Sequence, residues 1–177
     1  MKITLVRHTS VDVPKGVCYG QSDVPLRATF EMEAEAVCQQ IDGQEFDAVY
    51  TSPLSRCVKL ATYCGYGDAV RDDRLMEMNF GEWEMRRWDE IEDPRLNEWF
   101  DDWFHVKSPG GESSEEQQQR LQQFMDELKA SGKENVLIFT HGGIMIHSLL
   151  LCRLATLENI FSQQPGYGGV MEVEISD

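Results

Sequence analysis

Short apolar runs alternate with amphipathic segments along the chain. Ile3-Thr4-Leu5-Val6 is typical of a short buried strand that ends at Arg7-His8. The continuous apolar run Val136-Leu137-Ile138-Phe139 predicts a strand covered on both faces, and it ends at Thr140-His141. Three more strands are predicted, over residues 47–51, 69–71 and 170–175, the last with the alternation of an edge strand.

Helical spacing fills most of the intervals between these strands. Ser52-Pro53 predicts the N-cap and first residue of a helix that runs to about Tyr63. Asp93-Pro94 predicts another helix start. An earlier helix is predicted over residues 29–41, where four apolar residues share a face: Met32, Ala36, Val37 and Ile41.

A capping box predicts where a long helix begins. Ser113 and Glu116 have the spacing at which each side chain satisfies a backbone N–H of the other residue. The helix is predicted to end at Gly132, and its apolar face consists of Leu121, Phe124, Met125 and Leu128. A further helix follows from Gly142-Gly143 through Leu151. Strands that alternate with helices predict an α/β fold, with a mostly parallel central sheet between helical layers.

Two segments lack this regular alternation. Residues 9–27 are rich in glycine and proline and form a predicted long loop, and loops of that length in a compact domain are usually functional. Residues 75–108 contain all four tryptophans of the chain, Trp83, Trp88, Trp99 and Trp103. These tryptophans predict either a compact apolar core or an aromatic wall that stacks on a ligand.

The charge of the chain restricts its partners. Sixteen basic and 31 acidic side chains give a net charge of −15, without a basic run. Such a chain repels nucleic acid and anionic membranes, so neither is an expected partner. No segment has the length of a membrane span, and the start has too short an apolar run for a signal peptide. We therefore expect a single cytoplasmic domain over residues 1–177, in which a few placed arginines must capture any anionic ligand.

The cysteines predict no disulfide framework. Their number is odd, they are scattered, and no C-x-x-C pair occurs among Cys18, Cys38, Cys57, Cys64 and Cys152. Reduced thiols are therefore expected. Cys18 lies in the predicted functional loop, and we expect it to account for any sensitivity to oxidants.

Two histidines fall where α/β sheets bind ligands. His8 and His141 each follow an apolar strand, and the carboxyl ends of strands are the usual ligand edge. A neutral His8 can attack a phosphate ester, and neighbouring arginines favour neutrality because like charge lowers the pKa of a histidine. Arg7 and Arg56 offer guanidinium groups to phosphate oxygens, and Gly142 at a helix start allows close backbone approach.

Each of these residues also has a structural interpretation when taken alone. An isolated Arg7-His8 pair is weak evidence, and Arg56 alone is more often a solvated helix residue. His105 and His147 are expected to be structural. His141 and His147 are six residues apart and do not share the i, i+4 face of a helical metal pair, so no metal or other cofactor is expected.

The complete set of motifs resembles the histidine phosphatases, the phosphoglycerate-mutase-like superfamily. The matching segments are Leu5-Val6-Arg7-His8, Ser52-Pro53-Leu54-Ser55-Arg56, Leu75-Met76-Glu77 with Phe80-Gly81-Glu82-Trp83-Glu84, Pro109-Gly110-Gly111-Glu112-Ser113, and Thr140-His141-Gly142-Gly143. Their order and spacing agree across nearly the whole chain. The resemblance implies a three-layer α/β/α fold with a small cap over about residues 75–112.

The resemblance also implies a role for each chemical residue. His8 is the nucleophile, Glu77 is the proton donor, and the phosphoryl group is held by Arg7, Arg56 and His141. The sequence departs from the family where Thr9 replaces the usual glycine after the nucleophile, so Thr9 or Ser10 is expected to donate hydrogen bonds to phosphate. Met85 replaces a glycine in the segment that follows Trp83-Glu84.

Residues 7–26 resemble bacterial alpha-ribazole phosphatases in particular, and the Tyr19-Gly20-Gln21-Ser22-Asp23 run carries most of that likeness. The implied substrate is alpha-ribazole 5′-phosphate or adenosylcobalamin 5′-phosphate, late in cobalamin biosynthesis. Gln21 and Ser22 would then face the phosphate or the ribose. The alternatives are a phosphoglycerate mutase, a broad-specificity sugar-phosphate phosphatase, and a non-catalytic module that binds a phosphorylated ligand. The oligomeric state is left open.

Overall fold

The computed structural model describes residues 1–175. The strands are β1 (Lys2–Arg7), β2 (Ala48–Thr51), β3 (Val70–Arg71), β4 (Asn135–Thr140) and β5 (Val170–Glu174). The helices are α1 (Phe30–Ile41), α2 (Ser55–Tyr63), α3 (Arg95–Asp101), α4 (Ser114–Ala130) and α5 (Gly142–Leu151). Short 3₁₀ turns cover Asp73–Leu75, Gly81–Trp83, Trp88–Glu90 and Ile160–Gln163. All five predicted strands are therefore confirmed within a residue or two.

The sheet has the order β3-β2-β4-β1-β5. Every neighbouring pair is parallel except β1 with β5, which is antiparallel at the sheet edge. Alternate residues of β4 pack into two different cores: Val136 and Ile138 face one layer of helices, and Leu137 and Phe139 face the other. This two-sided burial is the reason for the continuous apolar run, and the predicted three-layer α/β/α fold is confirmed.

The two helical layers differ in composition. On one face α4 and α5 pack through large aliphatic and aromatic side chains: Leu121, Phe124, Met125, Leu128, Ile144, Met145 and Leu149. On the other face α1 and α2 pack through smaller ones: Ala34, Val37, Ile41, Cys57, Leu60 and Ala61. The capping box of α4 is present, with both reciprocal hydrogen bonds. In residues 1–175, none of the helices has the length and hydrophobicity that a membrane span requires.

The predicted helix start at Ser52-Pro53 is wrong. Residues 52–54 are not helical, Leu54 is extended with ψ 136°, and α2 begins only at Ser55. The Ser52 hydroxyl does accept from the Leu54 N–H, but it also lies 2.7 Å from the Nε2 of His141, and this contact ties it to the next strand. A serine that fits a capping pattern is thus used for a contact between strands.

The predicted apolar face of α1 is also wrong in part. Met32 is 70% exposed and Ala36 is exposed, whereas Ala34, Val37 and Ile41 are buried. The helix therefore turns a slightly different stripe towards the sheet. Spacing alone could not separate the two stripes, because alanines at 34 and 36 fit either one.

The expectation of reduced thiols is wrong for two cysteines. The sulfur atoms of Cys38 in α1 and Cys64 at the end of α2 form a disulfide, with Cα atoms 5.3 Å apart. The two helices lie side by side on one face of the sheet, a proximity that neither the number nor the spacing of cysteines reveals. Cys18 is buried, and burial raises the pKa of its thiol to about 12, which argues against the expected oxidant sensitivity.

Met85 occupies a backbone position that suits glycine. Its φ is 62°, in the left-handed region, and its side chain is largely exposed. The amide of Met85 donates to Cys18 O, and this turn links the tryptophan-rich segment to the 9–27 loop. Methionine in place of glycine therefore keeps the local turn and its hydrogen bond, and its cost is strain in the backbone at Met85.

Candidate active site

The strand order brings predicted catalytic and phosphate-binding residues to one edge of the sheet. Arg7 of β1 pairs with Thr140 of β4, and Thr51 of β2 pairs with Phe139, so the three strands end side by side. His8, Ser52 and His141 are the next residues along each strand. The rings of His8 and His141 have centroids 5.2 Å apart.

His8 is buried and held in a single tautomer. Its Nδ1 lies 2.8 Å from the carbonyl oxygen of Thr9. A carbonyl oxygen only accepts, so Nδ1 carries the proton and Nε2 keeps its lone pair. Burial lowers the pKa of His8 to about 3, with smaller contributions from the charges of Arg56 and Arg7. The imidazole is therefore neutral near pH 7 and chemically able to act as a nucleophile.

Two guanidinium groups lie beside this imidazole. Arg56 is fully buried and donates from Nη1 to Ser22 O at 3.0 Å and from Nη2 to Gly20 O at 2.5 Å. Arg7 donates from Nη1 to Pro165 O at 2.6 Å. The Nε–H groups of both arginines are buried without a partner among the described residues. Because neither guanidinium is paired with a carboxylate there, their charge is available to a bound anion.

His141 is completely buried and fixed by the neighbouring strand. Its Nε2 lies 2.7 Å from Ser52 Oγ and 3.5 Å from Cys57 Sγ. Burial holds the pKa of His141 well below its usual range, and the charge of Arg56 acts in the same direction. The second histidine of the site is thus also a neutral ring of fixed orientation.

The two glycines after His141 allow close packing around the site. A Cβ atom on Gly142 would lie 2.2 Å from Gln164 Nε2 and 3.1 Å from Arg7 Cζ. A Cβ atom on Gly143 would lie 2.1 Å from Glu77 Oε1. A larger residue at Gly142 would therefore displace Gln164 and crowd Arg7, and one at Gly143 would displace Glu77, which is the physical reason for glycine at both positions.

Glu77 is held in place by three donors. Its Oε1 accepts from the backbone N–H of Met78 at 2.9 Å and from Gln117 Nε2 at 3.1 Å. Its Oε2 accepts from the Gly143 N–H at 3.1 Å. The carboxyl group therefore has a fixed position on the wall of the cavity that also contains His8.

That cavity has a volume of about 270 Å³ and two chemically different parts. Arg7, His8 and Glu77 are at one part. The other part is formed largely by aromatic side chains: Phe80, Trp88, Trp99, Trp103 and Phe161. Trp88 and Trp99 are stacked with centroids 5.6 Å apart. A larger cavity of about 480 Å³ lies elsewhere, between α4, α5 and β5, and contains none of these residues. The chemical groups, rather than cavity size, identify the site.

The remaining predicted binding residues surround the cavity without lining it. Thr9 is fully buried, and its hydroxyl has no hydrogen-bond partner in the described part of the chain. The backbone N–H groups of Gln21 and Ser22 donate to the Glu84 carboxylate at 2.8 and 2.6 Å. These two residues thus shape the loop whose carbonyl groups hold Arg56. In residues 1–175 no group of three or more His, Cys, Asp or Glu residues is arranged to hold a metal ion.

Several residues of the site were not singled out from the sequence. Glu84 organises the 20–22 loop, and its place in the Phe80–Glu84 motif could have drawn attention to it. Gln117 lies in α4, where a glutamine among other polar residues gives no signal. Tyr19 and Tyr167 meet through their hydroxyl oxygens, 2.5 Å apart, and the Tyr167 ring centroid is 4.5 Å from Arg7 Cζ. Tyr167 comes from a loop far along the chain, so only the fold reveals this contact.

A comparison with protein families agrees with this geometry. The model of the histidine phosphatase superfamily (branch 1) matches residues 3–177. The match therefore includes every predicted chemical residue.

Curated relatives and solved structures cover nearly the same length. A Hydrogenobacter thermophilus protein named "Putative phosphoserine phosphatase 2" is 30% identical over 98% of this chain and 89% of its own. The adenosylcobalamin/alpha-ribazole phosphatase of Escherichia coli K12 is 31% identical over 87% of this chain and 79% of its own. The crystal structure of the alpha-ribazole phosphatase of Shigella flexneri matches with a TM-score of 0.86 and 28% identity, over 99% of this chain and 91% of that one.

The buried histidines predict how stability depends on pH. In the unfolded chain a histidine binds a proton near pH 6.5, whereas in the folded protein His8 does so only at about 3 and His147 only at about 4. Between these values the unfolded state binds more protons, so the free energy of unfolding falls as the pH falls. Each such histidine contributes a slope of about 1.4 kcal/mol per pH unit.

We expect His8→Asn and His147→Asn each to make this slope shallower by about that amount. Urea unfolding of the two variants and the parent protein, at several pH values between about 6.5 and about 4, measures the slopes. A variant with the slope of the parent protein would show that its histidine is protonated in the folded state over this range.

Proposed function

The chain belongs to the histidine phosphatase superfamily and is a phosphatase, and we propose that it hydrolyses alpha-ribazole 5′-phosphate or adenosylcobalamin 5′-phosphate. Release of the dephosphorylated product and inorganic phosphate would be a late, cytoplasmic step of cobalamin biosynthesis. The proposal also treats residues 1–177 as a single domain in which about residues 75–112 form a cap over the site.

The observation that carries the proposal is the two-part character of the cavity. Phosphate fits the part that contains Arg7 and His8, and the leaving group then enters the aromatic part. Among the described residues that line the cavity, Arg7 is the only arginine or lysine. Phosphoserine and 3-phosphoglycerate both carry a carboxylate near the phosphate. With the phosphate at Arg7, this carboxylate would lie against aromatic rings, where no second cation among the described lining residues could pair with it. A benzimidazole base can instead stack on those rings.

In the proposed first step, His8 Nε2 attacks phosphorus. A P–N bond forms as the P–O bond to the leaving group breaks, and Glu77 transfers its proton to the departing oxygen. Arg7, Arg56 and His141 hold the phosphoryl oxygens, where preorganised donors stabilise the charge that develops. The unpartnered Nε–H groups of both arginines support this role, because a bound phosphate would supply the missing acceptors.

In the proposed second step, water replaces the histidine. Glu77, now ionised, accepts a proton from the water as its oxygen attacks the phosphohistidine, and inorganic phosphate leaves with His8 neutral again. The unpartnered hydroxyl of Thr9 is proposed as a further donor to phosphate, and Gly142 as the place where the backbone approaches it. Gln21 and Ser22 act through the loop carbonyl groups that fix Arg56.

A phosphoglycerate mutase would use the same first step. The two functions differ in what accepts the phosphoryl group: water in the phosphatase, and a second substrate hydroxyl in the mutase. Stoichiometric release of inorganic phosphate, without phosphorylated product, separates them.

We expect His8 to become covalently phosphorylated during turnover. Brief reaction with labelled substrate and a rapid quench should trap the label as a phosphohistidine, which is labile to acid and stable to base. His8→Ala should abolish both the label and turnover, whereas His105→Ala should retain them, since His105 is exposed and paired with Asp102. Near-normal turnover of His8→Ala without added metal would contradict the mechanism.

We expect Glu77→Gln to act according to the leaving group. A ribose alkoxide needs a proton as it departs, whereas nitrophenolate can leave unprotonated. Single-turnover phosphorylation should therefore slow by roughly 10²–10⁴-fold on an alkyl phosphate and much less on 4-nitrophenyl phosphate. Glu82→Gln, an exposed neighbour in the same segment, is the matched control. Equal losses on both substrates would mean that Glu77 only positions the site.

We expect the aromatic wall to select the substrate. The kcat/KM should be higher for alpha-ribazole 5′-phosphate than for phosphoserine or 3-phosphoglycerate. Trp103→Ala should cost about tenfold on the first substrate and little on the others, because only the benzimidazole stacks on the ring. Tyr63→Ala is the control, since Tyr63 is an exposed aromatic residue of α2 that does not line the cavity. A preference for phosphoserine would refute the proposed substrate and leave the phosphatase mechanism intact.

A further inference from the structure

A serine and a histidine that the mechanism does not use lie next to each other at the cavity. Ser114 is the first residue of α4, is almost fully buried, and lines the cavity together with Glu77 and Gly143. Its Oγ lies 3.0 Å from the Nε2 of His147. His147 is completely buried in α5, one helical turn after Gly143. Its burial lowers the pKa of the ring to about 4, so the ring is neutral near pH 7.

The surroundings of His147 decide which of its nitrogens carries the proton. Nδ1 is buried and has no hydrogen-bond partner in the described chain. A buried N–H without an acceptor is rarer in proteins than a buried lone pair without a donor. The proton is therefore on Nε2, which donates to Ser114 Oγ. The hydroxyl proton of Ser114 is then left without an acceptor among the described residues.

Because Ser114 lines the cavity, its hydroxyl proton is available to a bound ligand. The nearby Gln117 side chain already donates to Glu77. Most of the wall beyond is aromatic or aliphatic and cannot accept from a hydroxyl. Ser114 and Glu77 line the same cavity, so a leaving group that accepts a proton from Glu77 has the Ser114 hydroxyl on the wall around it.

We propose that Ser114, oriented by a neutral His147, is a specificity-determining residue that donates a hydrogen bond to a hydroxyl oxygen of the ribose next to the scissile bond. The inference rests on the proposed phosphatase function, and it adds recognition of the sugar to that of the phosphate and the base. Ser114 makes this contact with the substrate, and His147 is a positioning residue that acts through Ser114.

The test compares substrates that differ in hydroxyl groups. Alpha-ribazole 5′-phosphate carries the ribose, whereas benzyl phosphate also has an aromatic primary alkyl leaving group but no hydroxyl. Adenosine 5′-phosphate and its 2′,3′-dideoxy analogue form a second pair that does not depend on the proposed base. Ser114→Ala should lower kcat/KM by about three- to tenfold on each ribose substrate, and by less than about twofold on benzyl phosphate and the dideoxy analogue.

The His147 variants separate orientation from packing. His147→Phe fills the ring volume without a donor and should show the same selective loss, with no further loss when combined with Ser114→Ala. His147→Gln keeps an N–H donor and should recover part of the selectivity.

Each possible outcome either supports or overturns the proposed role of Ser114. Equal losses on all four substrates would show a structural role for Ser114, and no loss on any would show no role; either result overturns the proposal. Turnover of the adenosine pair without turnover of alpha-ribazole 5′-phosphate would refute the proposed substrate alone. If the unaltered enzyme hydrolyses benzyl phosphate but no ribose phosphate, both proposals are overturned.

Discussion

The site depends on two guanidinium groups, one buried and one half-buried, that have no carboxylate partner in the described part of the chain. Arg56 and Arg7 direct their guanidinium groups at carbonyl oxygens, which offset part of the desolvation cost but do not cancel the charge. The same charges, added to burial, keep His8 neutral. One arrangement therefore provides both positive charge and a neutral imidazole, the two features that the proposed mechanism needs, in a chain whose net charge is −15.

This arrangement is supported by a second set of contacts behind it. The Glu84 carboxylate accepts from the backbone N–H groups of Gln21 and Ser22 and thereby fixes the loop that holds Arg56. On the far side, the amide of Gly168 donates to His8 O, and the carbonyl oxygen of Pro165 accepts from Arg7. Two loops that are far apart in the sequence thus hold the two arginines of the site, residues 20–22 at Arg56 and residues 165–168 at Arg7. None of these supporting groups needs to touch the substrate in order to affect its binding.

Sequence reasoning predicted the sheet and helices well, because burial on one or two faces leaves a clear pattern in strands such as Val136–Phe139. It also predicted correctly that His8 and His141 lie at one edge of the sheet, since the carboxyl ends of parallel strands meet there. It failed where a residue serves a distant partner: Ser52 contacts His141 in place of capping α2, and Cys38 bonds to Cys64. Gln117 and Tyr167 were missed for the same reason, because contacts between distant segments have no local pattern.

The place of β1 in the sheet has a consequence for how the protein folds. This strand precedes the other four along the chain, yet its two neighbours are β4 and β5, so Lys2 pairs with Asn135 and Glu174. Bringing such distant segments together has a large entropic cost, and folds dominated by these pairings form slowly. In a chain that has not made these pairings, His8 lacks the burial that lowers its pKa, so its affinity for protons is that of a solvated histidine. The buried, neutral imidazole of His8 therefore depends on pairings between distant segments, and a chain that has not yet made them lacks the proposed nucleophile.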